Sequence, residues 1–555
     1  MFTRLSRSGG RTYLQLVESY RNEAGQPRQR VIANLGRLDQ LSAEQLEPLI
    51  SGLERAVGRS RAPALAVSFE SAKAFGDLYA LHALWTQLGL ADALRRALRS
   101  SRRSFDAPAL VQAMVFNRLC DPESKLGVLR WLDTVAMPAA PERVSHDHLL
   151  RTMDALMDRI DTVEAAVAAQ LRPLLDDELS VVFYDLTTIR ISGTGTVTED
   201  VRAFGLSKDT GGIARQFVLG VIQTAEGLPI AHQVHVGNVG EASTLIPMIE
   251  ASCRRYGLKR VVLIADRGLL SLDNLDAIEA LRPVEDCPLS FILAVPGRRY
   301  AEFSELLSES VHDVLRRDGM TEITWQGRRL VIAHDEERAQ RQRAERRTEI
   351  ERIAAEGDRM AQRLDDADNG RAGRGRRSTD RRAYLRFHEM IKAAGLSRII
   401  KADLSADRFT FDIDESAVRA AEQLDGKLLL VTNTDFDAAQ VIRRYKDLAD
   451  IERGFRVLKS DIEIAPVHHR LPERIRAHAL ICFLALVLHR VLRQRLKASQ
   501  HPLSPRRALA SLRQIQQHHV RINHQPVTGM TRIGTDQLDL FQALNLPPPA
   551  ETAHL

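Results

Sequence analysis

Two aspartates close apolar runs, Asp185 in VVFYD and Asp266 in VVLIAD. Short apolar runs bounded by turn residues form buried strands, so both acids are delivered to a sheet edge. A third acid, Glu452, lies in YKDLADIERGFRVLK, where Tyr445, Leu448, Glu452, Phe455 and Lys459 recur at three or four and share one helical stripe. An acid on a partly apolar stripe is costly to bury unpaired, and Lys459 stands too far along the helix for an i,i+4 pair. A bound metal or substrate would account for it. Three carboxylates are hard oxygen donors of the kind that two divalent cations, Mg²⁺ or Mn²⁺, take up. Two such ions can activate a water or a 3′-hydroxyl and stabilise the leaving oxygen of an in-line phosphoryl displacement. On spacing alone, helix caps or turns at the aspartates and a solvated helix face at Glu452 and Lys459 describe these residues equally well.

The elements that must position them are legible as changes of period. LSVVFYDLTTI, RQFVLGVIQTA, LPIAHQVHVG, KRVVLIADRG and LSFILAVPG are short β-rich runs. EASTLIPMIEASCRRYG is a helix between the third and fourth, and SLDNLDAIEALR a second after the fourth. KLLLVTN is a further strand, followed by a long helix from about Asp437 to Ser460 and another after Pro472. Before the sheet, from about Ser71 to Asp177, apolar residues recur at three and four and predict packed helices, with room for a helix-turn-helix. Residues 1–37 carry seven arginines against Glu18 and Glu23, with two short strands around the turn NEAGQP. After Pro296 the pattern loosens. Asp335 to Asp368 is a charge-dense helix, and NGRAGRGRRSTDRR suits a linker or a loop that touches nucleic acid. The end, LPPPAETAHL, suggests a frayed tail.

Composition sets the class. The 555 residues are 44% hydrophobic and 27% charged, enough for large buried cores and against a disordered chain. A net charge of +6 permits a polyanionic partner without demanding one. Cys120, Cys253, Cys287 and Cys482 form no C-x-x-C pair, which fits a reducing compartment. The start has no apolar run, and Ala479 to Leu488 is too short to span a bilayer, so an intracellular protein without a membrane partner is expected. The chain has no G-x-x-x-x-G-K-[ST], which removes a nucleotide-driven motor.

The run Tyr445-x2-Leu448-x3-Glu452-x6-Lys459 resembles the Y-x2-R-x3-E-x6-K signature of insertion-sequence DDE transposases of the insertion-sequence-four type and their long-chain relatives. VVFYDLTTI looks like that family's first-aspartate strand, VVLIADRGLLS like its second-aspartate motif, and DIEIAPVHHRLPERIRAHALICFLAL like its closing helices. GLSKDTGGIARQFVLGVIQTAEGLPIAHQVHVGNVGEASTL and the N-terminal GRTYLQLVESYR and RQRVIANLGRL are also similar. The resemblance implies an α/β fold: an RNase H-like mixed-sheet catalytic core with an insertion subdomain, preceded by a small β-hairpin unit and an all-α domain. The expected segments are the basic hairpin unit over 1–60, a helical DNA-end-binding domain over 61–177, the first part of the core over 178–297 and the insertion over 298–436. The rest of the core, with the glutamate helix and the closing helix, spans 437–500, and a C-terminal tail 501–555.

It further implies Asp185, Asp266 and Glu452 as catalytic metal ligands, Lys459 against phosphate near the cut end and Tyr445 holding the DNA terminus. The signature arginine is Leu448 here, a lost phosphate contact unless Arg444, Arg453 or Arg456 replaces it. Arg267 and Lys208 are further candidate phosphate contacts. His232 and His235 alternate across a strand and make a poor shared metal site, and His468 and His469 follow the glutamate helix in a loop that can approach DNA. The implied activity is cleavage at terminal inverted repeats and strand transfer into target double-stranded DNA, by a homodimer in a synaptic complex in the nucleoid-associated bacterial cytoplasm. A structure-specific nuclease of the same fold and a non-catalytic, domesticated or decayed DNA-binding copy are the alternatives.

Overall fold

A computed structural model describes the chain apart from residues 59–66, 101–102, 142, 176–180, 194–200, 208–211, 240, 258–260, 266–274, 281–288, 308, 372–378 and 551–555. For residues 43–44, 181–185, 241–243, 265, 276–278, 298, 301, 304, 309–310, 317–318, 406 and 449–455 it describes the backbone alone. The described residues divide into two units, Met1–Ala72 with His518–Gly529 and Lys73–Gln517 with Met530–Leu555.

In the first unit, β1 (Phe2–Ser8), β2 (Arg11–Arg21) and β3 (Pro27–Arg37) form an antiparallel sheet, one strand more than the sequence predicts. The extra strand, FTRLSRS, is largely exposed and carries no apolar run to announce it. Helix α1 (Ala43–Ala56) opens on a capping box in which Gln45 N–H donates to Ser42 Oγ and Ser42 N–H to Gln45 Oε1. Strand β4 (Val67–Ala74) joins a second sheet with two strands from the far end of the chain, β16 (Gln516–Ile522) and β17 (Gln525–Met530), in the order β17-β16-β4. Arg521 ion-pairs with Glu70 across that sheet.

The second unit begins with the expected helices: α2 (Gly76–Gln87), α3 (Leu90–Ala97), α4 (Ala107–Cys120), α5 (Lys125–Thr134), α6 (His146–Asp158) and α7 (Ile160–Leu171). Asp106, Ser124 and Ser145 cap α4, α5 and α6 by accepting from backbone N–H groups of their first turns. Next come β5 (Val181–Arg190), β6 (Ala203–Leu206), β7 (Ile213–Thr224), β8 (Pro229–Val236), α8 (Glu241–Tyr256), β9 (Val261–Ala265), α9 (Leu275–Ala280) and β10 (Leu289–Ala294). Strand β7 runs antiparallel to both β5 and β8, while β9 lies between β5 and β10 and pairs parallel with each. Short β6, which the sequence does not announce, pairs with the start of β7.

Helix α10 (Glu309–Asp318) leads to a hairpin, β11 (Met320–Trp325) and β12 (Arg328–His334), and β15 (Lys427–Thr432) pairs antiparallel with both β12 and β10. Among the described residues these nine strands make one sheet, β11-β12-β15-β10-β9-β5-β7-β6, with β8 also on β7. The hairpin thus belongs to the central sheet, although its sequence lies in the stretch where insertion is expected.

Between β12 and β15 lie α11 (Glu336–Asp368), α12 (Asp380–Ala393), β13 (Ile400–Asp403), β14 (Thr410–Ile413) and α13 (Glu415–Leu424), with a core of their own around Ile353, Met360, Phe387, Ile391 and Phe409. Gly357 is the close-approach point: a Cβ there would stand 2.6 Å from the Phe411 ring and 2.8 Å from that of Phe387.

Helix α14 (Ala438–Ser460) and α15 (Pro472–Ala498) follow, then α16 (Pro505–Leu512) and α17 (Thr535–Ala543). Helix α15 is long and apolar enough to cross a membrane, but 94% of its apolar stretch is buried inside the protein, as in a core helix. Residues 501–550 correct the expectation of a frayed tail. Leu509, Leu512, Leu540 and Phe541 from α16 and α17 are buried in the main core, and the stretch between supplies β16 and β17. The final residues, 551–555, lie outside the described part.

Candidate active site

Strand β5 is central to the sheet, paired on both sides, and is covered accordingly: Leu186 and Ile189, with the β-branched Thr187 and Thr188, are buried. Asp185 sits within its ladder, level with Val221 of β7. The parallel register with β9 places Val181 level with Val262 and Phe183 with Ile264. Asp266 follows directly in the sequence on Ala265, the last residue of β9. Helix α14 begins at a second capping box, Gln440 N–H donating to Asp437 Oδ1 at 2.7 Å and Asp437 N–H to Gln440 Oε1 at 3.2 Å.

The first half of α14 packs on one face of the sheet. Val441, Ile442 and Leu448 form a cluster with Val262 and Ile264 of β9, Ile292 and Ala294 of β10, Val331 of β12 and Leu428 and Leu430 of β15, and Tyr445 packs half-buried against it. The alternate residues of those strands, Leu263, Phe291, Leu293, Leu429 and Val431, belong to the main core on the other face. Full burial of a Val, Ile or Leu stabilises by about 1.5–3 kcal/mol, so this stripe holds α14 firmly to the sheet.

Of the residues singled out in the sequence, Asp266, Arg267 and Lys208 lie outside the described residues, as do the side chains of Asp185, Glu452 and Arg453. So does most of the Arg/Gly-rich loop. The backbone of α14 carries Glu452 one turn beyond Leu448, Arg456 is exposed and Lys459 half-buried near the helix end. Among the described residues no group of three His, Cys, Asp or Glu could hold a metal ion.

Leu448 is 5% exposed and is a packing residue. The sequence presents it as a missing phosphate contact; the structure gives the position to the apolar interface. His232 stacks on Phe483 with ring centroids 4.6 Å apart, and burial pushes its imidazole down to about 4 despite Glu164 3.9 Å away. That is the packing role its strand position suggests. His468 is exposed, whereas His469 turns inward against His478 and is pushed by burial to about 3.

Comparison with known proteins identifies the family. A model of the transposase DDE domain matches residues 176–488, and a model of the N-terminal domain of the IS1634 family transposases matches residues 3–64. The chain belongs to the DDE transposases. It is a DNA transposase, an enzyme of transposition, whose N-terminal stretch is similar to that of the IS1634 family, and the transposase expectation is the one borne out. No curated protein matches the sequence. Two solved structures are loosely similar to the transposase: the cryo-EM structure of a piggyBac transposase synaptic complex with hairpin DNA, at 7% identity over 79% of each chain with a TM-score of 0.38, and the Drosophila P element transposase strand transfer complex, at 12% identity over 75% of this chain and 86% of that one with a TM-score of 0.21. A DDE domain implies divalent-metal dependence.

Proposed function

We propose that Asp185, Asp266 and Glu452 are the acid triad of this transposase, on an RNase H-like core. The observation that carries the reading is the β5–β9 ladder. Phe183 and Ile264 are paired partners in parallel strands, and Asp185 and Asp266 each stand two residues further along the sequence. Helix α14, bearing Glu452, packs on both strands. The strand order supports the core assignment: β8, β7 and β5 antiparallel, then β9 and β10 parallel to β5. Segment 336–424, which folds around its own small core between β12 and β15, is the insertion subdomain.

The donor set fits the implied ions, since three carboxylates offer only hard oxygens and no competing thiolate or imidazole. When bound, Mg²⁺ or Mn²⁺, as two ions, supply activation of the attacking hydroxyl and neutralisation of the leaving oxygen. The protein's own groups do the rest. Tyr445, held against the apolar cluster, orients the DNA terminus, and Lys459, with Arg453, Arg456, Arg267 and Lys208, neutralises phosphates. The basic N-terminal unit and the helices before β5 recognise terminal inverted repeats, and a homodimer pairs two ends before joining them to target DNA in the bacterial cytoplasm.

The test is Mg²⁺-dependent cleavage and joining of DNA carrying the ends that flank the gene, by wild type, Glu452→Gln and Asp266→Ala. Loss of both reactions by at least about a hundredfold with end binding retained is expected. Cutting retained by Asp266→Ala overturns the triad, and cutting without joining by wild type overturns strand transfer.

A further inference from the structure

A cavity of about 520 Å³ opens between the start of α5 and the loop that follows α14, lined by Arg118, Lys125, His478 and Arg474 and also by the acids Glu123 and Glu463. Its chemistry is unbalanced. Lys125 is 6% exposed and Arg118 4% exposed, and among the described residues no carboxylate ion-pairs with either. Arg118 gives its hydrogen bonds to neutral acceptors: the carbonyl of Glu463 at 3.3 Å, the carbonyl of Glu123, and Asn117 Oδ1 at 3.1 Å. Its Nε and the Nδ1 of His478 are buried without a partner. The Glu463 side chain is exposed, and the partly exposed Glu123 carboxylate lies 4.0 Å from Arg130. Arg474 is already paired, with Asp154 at 2.8 Å.

Two buried cations side by side, with Glu463, Glu123 and Asp121 near Arg118 but none of them ion-paired with it, are costly, and buried charges in proteins are paired or hold a ligand. The cost shows in Lys125, whose ammonium is pushed down to about 7 by burial and then by Arg118. Lys125 is also the first residue of α5, a ten-residue helix whose Gly127 N–H is capped by Ser124, so the positive end of that helix lies at the same cavity. Buried lysine, buried arginine and helix N-terminus together describe an oxyanion site with fixed donors.

We propose that this cavity is a phosphate site and that its occupant is a phosphodiester of the DNA on which the transposase acts. The proposal rests on the chain's family and is independent of the carboxylate assignment. Position supports the DNA source. Val467, which lines the cavity, bridges to Ile191 at the end of β5, with Val467 N–H donating to Arg190 O at 3.1 Å. Ile191 lies six residues from Asp185, about 20 Å along an extended strand. A backbone phosphate held there anchors the duplex to the same strand that carries the first aspartate.

The test uses the full chain and two readouts. Inorganic phosphate, titrated at constant ionic strength, is expected to raise the melting temperature of wild type and not that of Lys125→Met; methionine fills the same space without the charge. Binding of end DNA across a salt series is expected to lose about one unit of slope in log Kd against log salt in Lys125→Met. Wild type that ignores phosphate overturns the site, whatever the variant does. Phosphate protection with an unchanged salt slope overturns the DNA source in favour of a free phosphate. Protection by phosphate in a wild type that binds no DNA also overturns the DNA source, and is distinct from loss of cutting in Glu452→Gln.

Discussion

Leu448 of α14 and Ile264 of β9 lie in one buried apolar cluster. The helix that carries Glu452 and the strand that leads to Asp266 are therefore fixed to each other by packing, before any ligand is bound.

Restoring the signature residue by Leu448→Arg buries a guanidinium among Val262, Ile292 and Leu430. Urea unfolding is expected to show a loss of about 3 kcal/mol or more, whereas Leu448→Met costs under about 1.5 kcal/mol. An arginine variant as stable as wild type and tighter on DNA would show that the position serves phosphate after all.

The insertion is tied to the central sheet by Arg346 of α11, which pairs through both terminal nitrogens with Asp425, a residue 5% exposed just before β15. Removing one partner of a buried pair leaves the other charge stranded. Asp425→Ala is expected to destabilise by about 3–5 kcal/mol, and limited proteolysis should then cut α11 or α13 first. Intact digestion patterns would place the tie elsewhere.

Acidification should weaken the fold through buried histidines. Burial lowers His232 to about 4, and His469 and His489 to about 3. In the unfolded chain each takes its proton near pH 6.5, so their contribution is complete above that pH and falls as pH drops toward the folded values. Each costs about 1.4 kcal/mol per pH unit in that window. Urea midpoints between pH 7 and pH 5 measure the slope, and His232→Gln should make it shallower.

Lys125 acts at the alkaline side. Its folded value near 7 lies below the ordinary 10.5, so across that interval the unfolded chain binds a proton that the folded chain does not. Stability without phosphate should rise from pH 7 toward pH 10 by on the order of 3–5 kcal/mol, and Lys125→Met should remove this rise. An identical pH profile for the two proteins would contradict the burial of an unpaired ammonium.

Strands β5 and β9 and the start of α14 are legible in the sequence because each is set by a local rule, a short apolar run for the strands and Asp437 three residues before Gln440 for the helix, although β5 runs on five residues past Asp185 and so carries its acid mid-strand, not at the end that the run VVFYD suggests. The hairpin β11–β12 is not, because β11 alternates exposed and half-buried residues and carries a charge, so it lacks an apolar run. Its signal was the turn. Gln326 and Gly327 both take positive φ, 49° and 75°, the two-residue arrangement that suits twisted strands. The same device, Asn523 and His524 at 51° and 69°, joins β16 to β17 in what reads as a tail. The Lys125 cavity had no local signal at all, since Arg118, Lys125 and His478 come together only when α4, α5 and α15 pack.

Pairing of β4 with β16 has a consequence during synthesis. The second sheet of the first unit is assembled from stretches far apart in the chain, and it stays two strands short until the ribosome has passed residue 530. A stop codon anywhere upstream of residue 516 leaves β4 with a bare edge, the kind that recruits other chains. Truncated copies of the gene are thus born with a damaged first unit, however intact their carboxylates.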